Sequence, residues 1–144
     1  MSSELPPAST GGGPGHAKER ADRVRMMALI YRKPGMSVED FHNYWRDEHS
    51  KVFAGIAVVK KNLLKYEQIH LDNEASDGMQ KMCLPCADYD GMAVFDATSM
   101  EKIQEVFADK EYREIVVPDE EKFIDRGRSV LFPARLVDIF DDPS

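Results

Sequence analysis

The chain has 144 residues, 42% of them apolar and 31% charged, which suits one soluble globular domain with a moderate core. A net charge of −7 argues against nucleic acid and anionic membranes as partners, and means that an anionic substrate needs local positive groups. No apolar run approaches the ~18 residues needed to span a bilayer, and the N-terminus lacks a charged-then-apolar signal pattern, so the expected location is cytoplasmic.

Residues 1–22 are rich in Ser, Pro and Gly and carry too little apolar surface to offset their ordering entropy. They read as a disordered tail ahead of one domain over residues 23–140, with 141–144 as a short C-terminal tail. Met26 to Tyr31, MMALIY, is an unbroken apolar run and predicts a strand buried on both faces, one against the chain's own helices and one against a second sheet. Lys33-Pro34-Gly35-Met36 is a turn.

Ser37 to Phe53 then reads as an amphipathic helix, with Ser37 as its cap and Asp40 in the acidic place of a capping box. Phe41, Trp45 and Val52 recur at helical spacing, and His42 and His49 lie on the same side. An indole between two imidazoles on a core-facing stripe points to acid–base chemistry in an apolar pocket. Tyr44 and Glu48, off that stripe, read as a surface pair.

Leu63 to Leu71 alternates as a strand, with Tyr66, Gln68 and His70 on one face and Lys65, Glu67 and Ile69 on the other. The polar trio is either a solvated face or a cavity wall; Lys65 and Glu67, which claim the wetter side, favour the wall. Residues 72–88 form a long connection with at most a helical turn near Met79 to Met82. It contains Cys83-Leu84-Pro85-Cys86, and with no second CxxC and an irregular setting this reads as an incidental pair, not a metal or redox site.

Met92 to Asp96 is a short strand. Thr98 and Glu101 cap a helix whose Met100, Ile103, Val106 and Phe107 face the core. Asp109 caps a further helical piece with Tyr112, Ile115 and Val116. Pro118 begins a turn whose Asp119, Glu120 and Glu121 read as a solvated helix start. Ser129 to Phe140 is the last strand, and Pro133 places it at an edge or bulge.

The order strand–helix–strand–strand–helix–strand predicts an α+β, ferredoxin-like βαββαβ antiparallel sheet with helices on one face. The bare face needs a cover, and for so small a chain the natural one is a second copy, giving a homodimer in which two sheets form a dimeric α+β barrel.

At FHNYWRDEH, KYEQIH, YDGMAVF and PDEEKFID the chain resembles the EthD-domain family, most closely its small fungal members of aromatic polyketide pathways. The resemblance covers about Arg23 to Phe140. It implies a dimeric α+β barrel and cofactor-free chemistry on an aromatic polyketide. The family's helix histidine corresponds to His49, followed here by Ser50-Lys51 where many members have Gly/Ala-Pro. Its strand-end histidine corresponds to His70.

The reading is therefore a decarboxylase of anthrone- or anthraquinone-type acids, using no metal or cofactor. His49 and His70 share one pocket as acid–base catalysts. Tyr66 and Gln68 orient substrate hydroxyl or carbonyl groups, His42 is a further substrate-binding candidate, and Trp45, Phe41 and Phe95 form walls for a flat ring system. The alternatives are a dehydratase or cyclase on a related polyketide, a cofactor-free anthrone monooxygenase, and a non-catalytic dimer that binds an aromatic metabolite.

Overall fold

The computed structural model describes residues 17–140; the expectations for residues 1–16 and 141–144 lie outside that range. Within the segment read as a tail, β1 (Lys18–Glu19) pairs antiparallel with β6 (Val137–Asp138). The main sheet contains β2 (Val24–Ile30), β3 (Leu63–His70), β4 (Gly91–Ala97) and β5 (Val130–Ala134), in the order β3-β4-β2-β5 with every pairing antiparallel. Pro133 lies in β5, an edge strand, where its missing N–H costs no central ladder bond.

Register sorts the side chains into two faces, because cross-strand partners point the same way. Tyr66, Phe95 and Met26 share one face with Gln68, Ala93, Ala28 and Leu131. Helices cover this face: α1 (Val38–Tyr44), α2 (Ser50–Gly55), α3 (Ala57–Asn62) and α5 (Met100–Ala108), together with the short α6 (Val117–Glu120). The core between them is built on Phe41, Trp45, Phe53, Ile103, Val106 and Phe123.

The ferredoxin-like arrangement with helices on one face is as expected, but the barrel is not. Among the described residues the sheet is open, its outer strands β3 and β5 pair only with β4 and β2, and no sheet closes into a barrel. The strand β2 is deeply buried on one face only. Of its apolar run only Met26 and Ile30 are deeply buried, both on the helix-covered face, whereas Met27 and Leu29 are half-buried on the other.

Two local expectations also change. Residues 73–81 are a helix, α4 (Asn73–Lys81), started by Asp72, whose carboxylate accepts from Ala75 N at 2.9 Å. The helix after β4 is capped by Ser99, not Thr98, through a 3.3 Å bond from Lys102 N.

On the open face, Asp96 is fully buried. It takes a two-pronged contact from Arg25 (2.6 and 2.9 Å) and one from Arg23 (3.2 Å). Burial works to raise its pKa, but these guanidinium bonds outweigh it and hold the carboxyl below its usual range. Asp96→Asn is expected to cost about 2 kcal/mol in urea denaturation, less than a fully buried pair because both arginines are partly exposed. The contribution is present above the unfolded carboxyl's pKa of ~3.9 and is lost as pH falls through the lower folded value. An Asp96→Asn variant as stable as wild type at pH 7 would contradict this.

Candidate active site

Ser37 opens the first helix, its hydroxyl accepting from Asp40 N at 3.0 Å. Between α1 and α2 the backbone adopts a π-helical segment over Trp45–His49, and a second occurs over Tyr112–Val116. Such wide turns recur at functional sites because they re-aim side chains that a regular helix would stack. Trp45, His49 and Tyr112, one from each end of the first segment and one opening the second, line a cavity of about 390 Å³, within the range of small-molecule sites. Tyr66 and Phe95 of the sheet form its floor, their rings parallel at 5.7 Å, and Phe53, Phe107 and Ala93 add apolar wall.

His49 is buried, and its Nδ1 lies 2.7 Å from Asp119 Oδ2. Burial lowers the imidazole pKa against the opposing pull of Asp119, so the ring is neutral near pH 7. Its Nδ1–H donates to the carboxylate, which leaves the lone pair on Nε2. The Tyr44 hydroxyl donates to the other Asp119 oxygen, and burial with that carboxylate pushes the phenol up to about 12. Burial acts to raise Asp119, yet the bonds from Tyr44 and His49 prevail and keep it ionised. The result is a base-and-orienter pair in a largely aromatic wall.

Next along the chain, Glu120 turns to the same cavity. It accepts from the Tyr112 hydroxyl at 2.7 Å and pairs with Arg126 Nε at 3.2 Å. Burial raises its pKa in spite of both partners.

His70 is not among the described residues that line the cavity, and neither are His42, Gln68 and Phe41. Phe41 is core, with its ring against Trp45 and Phe123. His70 packs on Trp45 with ring centroids 4.3 Å apart. Its Nε2 bonds Gln68 Oε1 at 2.8 Å and its Nδ1 meets His42 Nδ1 at 2.7 Å. The Gln68 amide donates to the Trp45 carbonyl and the Tyr66 hydroxyl, both at 2.9 Å. This fixes the amide's orientation, so His70 donates from Nε2 and accepts from His42. Burial, then the charges of His42 and Arg46, lower the His70 pKa to about 4. The polar trio of β3 thus faces inward, where it holds the wall in place.

Sequence reasoning missed Asp119, Glu120 and Tyr44, the first two taken for a solvated helix start and the third for a surface pair. The PDEEKFID stretch held the signal, a proline-opened turn carrying three carboxylates, Asp119 to Glu121, shortly before a buried Phe123. Cys83 is exposed and Cys86 half-buried, and among the described residues no three His, Cys, Asp or Glu are grouped to hold a metal. No helix among them is long and apolar enough to cross a membrane.

Residues 33–127 match the model of the EthD domain. Among similar proteins, a dehydratase, ustZ, of Ustilaginoidea virens is 31% identical over 105 residues, covering 70% of this chain and 74% of that protein. A decarboxylase, claH, of Passalora fulva is 29% identical over 121 residues, covering 81% and 78% respectively. Among solved structures, a dimeric ferredoxin-like protein of unknown function from Thermobifida fusca superposes with a TM-score of 0.51 at 16% identity, over 79% of this chain and 91% of that one.

Proposed function

The chain belongs to the EthD-domain family, and from that premise we propose that it is a lyase that decarboxylates a polycyclic aryl or β-keto acid of the aromatic polyketide kind. The observation that carries this reading is the His49–Asp119 pair set into an aromatic cavity. In a hydroxyaryl acid, His49 Nε2 takes the phenolic proton and delivers it to the ring carbon bearing the carboxylate. The resulting β-keto acid breaks its C–C bond, carbon dioxide leaves, and the bonding electrons return to the oxygen as a phenolate that regains a proton. Asp119 holds the imidazole in the required tautomer and stabilises the transient imidazolium. His70 positions Trp45 from behind, and Trp45, Tyr66 and Phe95 sandwich the ring.

The test is carbon dioxide release from a labile hydroxyaryl carboxylic acid by purified protein without added metal or nucleotide. Oxygen uptake in its place, or tight binding with no turnover, would sink the decarboxylase reading.

A second reading, dehydration, is favoured by the dehydratase relative and by Glu120. Burial holds a proton on that carboxyl above its usual range, which suits it to protonate departing hydroxide while His49 removes the α proton. Mass spectrometry separates the two, since dehydration loses water and keeps the carboxylate.

We also propose a homodimer, in which Ile69, Val130 and Phe132, exposed on the open face, are covered by a second copy. Sedimentation velocity should give twice the chain mass, and a monomer at micromolar concentration would refute it.

A further inference from the structure

A protein of net charge −7 must supply a local cation to hold an anionic ligand. Among the described residues lining the cavity, Arg126 is the one permanent cation. It stands in the turn before β5, where Arg128 N and Ser129 N both bond the Asp125 carbonyl and so fix the backbone. Its side chain is 48% exposed, which places the guanidinium at the cavity mouth. The ion pair with Glu120 engages Nε, and Glu120 is itself braced by Tyr112. The guanidinium also bears on the Tyr112 hydroxyl, but its five N–H donors exceed these two contacts, and its exposed side can grip a second carboxylate, a geometry arginine supplies and lysine does not.

Resting on the lyase reading above, we propose that Arg126 is the anchor for the carboxylate of an aromatic acid, selecting the acid over the same ring without it. The ring enters between Trp45 and the Tyr66–Phe95 floor, and the carboxylate stays at the wet mouth. Such an anchor acts on affinity and not on the chemical step, so its loss raises KM and leaves kcat nearly unchanged. It also provides for release. Once the carboxylate has gone as carbon dioxide, Arg126 keeps only Glu120 and the neutral product binds less tightly. If Arg126 served only to neutralise Glu120, the acid preference lost in Arg126→Gln would return when Glu120→Gln is added to it.

Calorimetric titration with hydroxynaphthoic acid and with naphthol tests this on wild type, Arg126→Gln and Arg126→Lys. Wild type should prefer the acid by about tenfold or more. In Arg126→Gln the preference should fall to near unity with naphthol affinity unchanged, which also shows that the pocket is folded. Arg126→Lys should fall between. An acid preference kept in Arg126→Gln, or equal weakening of both ligands, overturns the anchor while carbon dioxide release by wild type keeps the lyase reading intact. A wild type that binds neither ring overturns both.

Discussion

His49→Ala is expected to lower kcat by roughly 10²–10⁴-fold, the usual worth of a positioned acid–base group, while ring binding survives. The position of the ring proton decides this. Asp119 accepts from Nδ1, so Nε2 is the free base, and burial keeps it unprotonated. The active form is neutral and the folded pKa lies below the ordinary ~6.5. Activity should therefore hold through pH 6.5 and fall only as pH drops through that lower value. Asp119→Asn adds a second readout. Losing the carboxylate removes the one pull that raises His49, so the acid limb moves to still lower pH. The asparagine amide also donates to Nδ1, which puts the ring proton on Nε2 and lowers the plateau. A limb that moved upward in that variant, or His49→Ala with wild-type turnover, would remove His49 from the chemistry.

The sequence revealed the strand and helix order because its periodicities are local. Tyr66, Gln68 and His70 alternate within one strand, and Phe41 and Trp45 recur within one helix. What stayed hidden depends on distance along the chain or on backbone detail. Asp119 lies 70 residues from His49, and no local pattern joins them. The π-helical turn at Trp45–His49 alters which side chains share a face, and a regular helical projection cannot show it. That projection set His42 and His49 together, whereas His49 lines the cavity and His42 lies with His70 and Asn73. Helix α4 escaped notice because it packs little apolar surface: of its residues only Ser76 is buried. The barrel was inferred from apolar residues that one face of the sheet and half-burial of the other already account for.

Gly91→Ala is expected to be among the most damaging single-methyl changes in the chain. Gly91 pairs with His70 on one side and Ile30 on the other, so its missing side chain would lie on the helix-covered face. The Trp45 indole fills that space, with His70 packed on it. A methyl carbon added at Gly91 would come within 2.4 and 2.7 Å of two indole carbons and 2.9 Å of the Ile69 carbonyl oxygen. The carbonyl belongs to the neighbouring strand and cannot withdraw without breaking the ladder, and the indole is enclosed at 1% exposure. Overpacking of this kind costs about 1–3 kcal/mol or more. Because Trp45 lines the cavity beside His49, a shift of the ring on the order of 1 Å also disturbs substrate placement, worth up to ~10²-fold in rate. Trp45 is the single tryptophan, so its emission reports the displacement directly. Gly78→Ala in α4 is the matched control. Nothing lies within 4 Å of an added methyl there, and the helix should gain about 0.5–1 kcal/mol. Equal thermal stability and identical emission in the Gly91 and Gly78 variants would show that the indole is not wedged against the β4 backbone, and the pocket wall would then need another support.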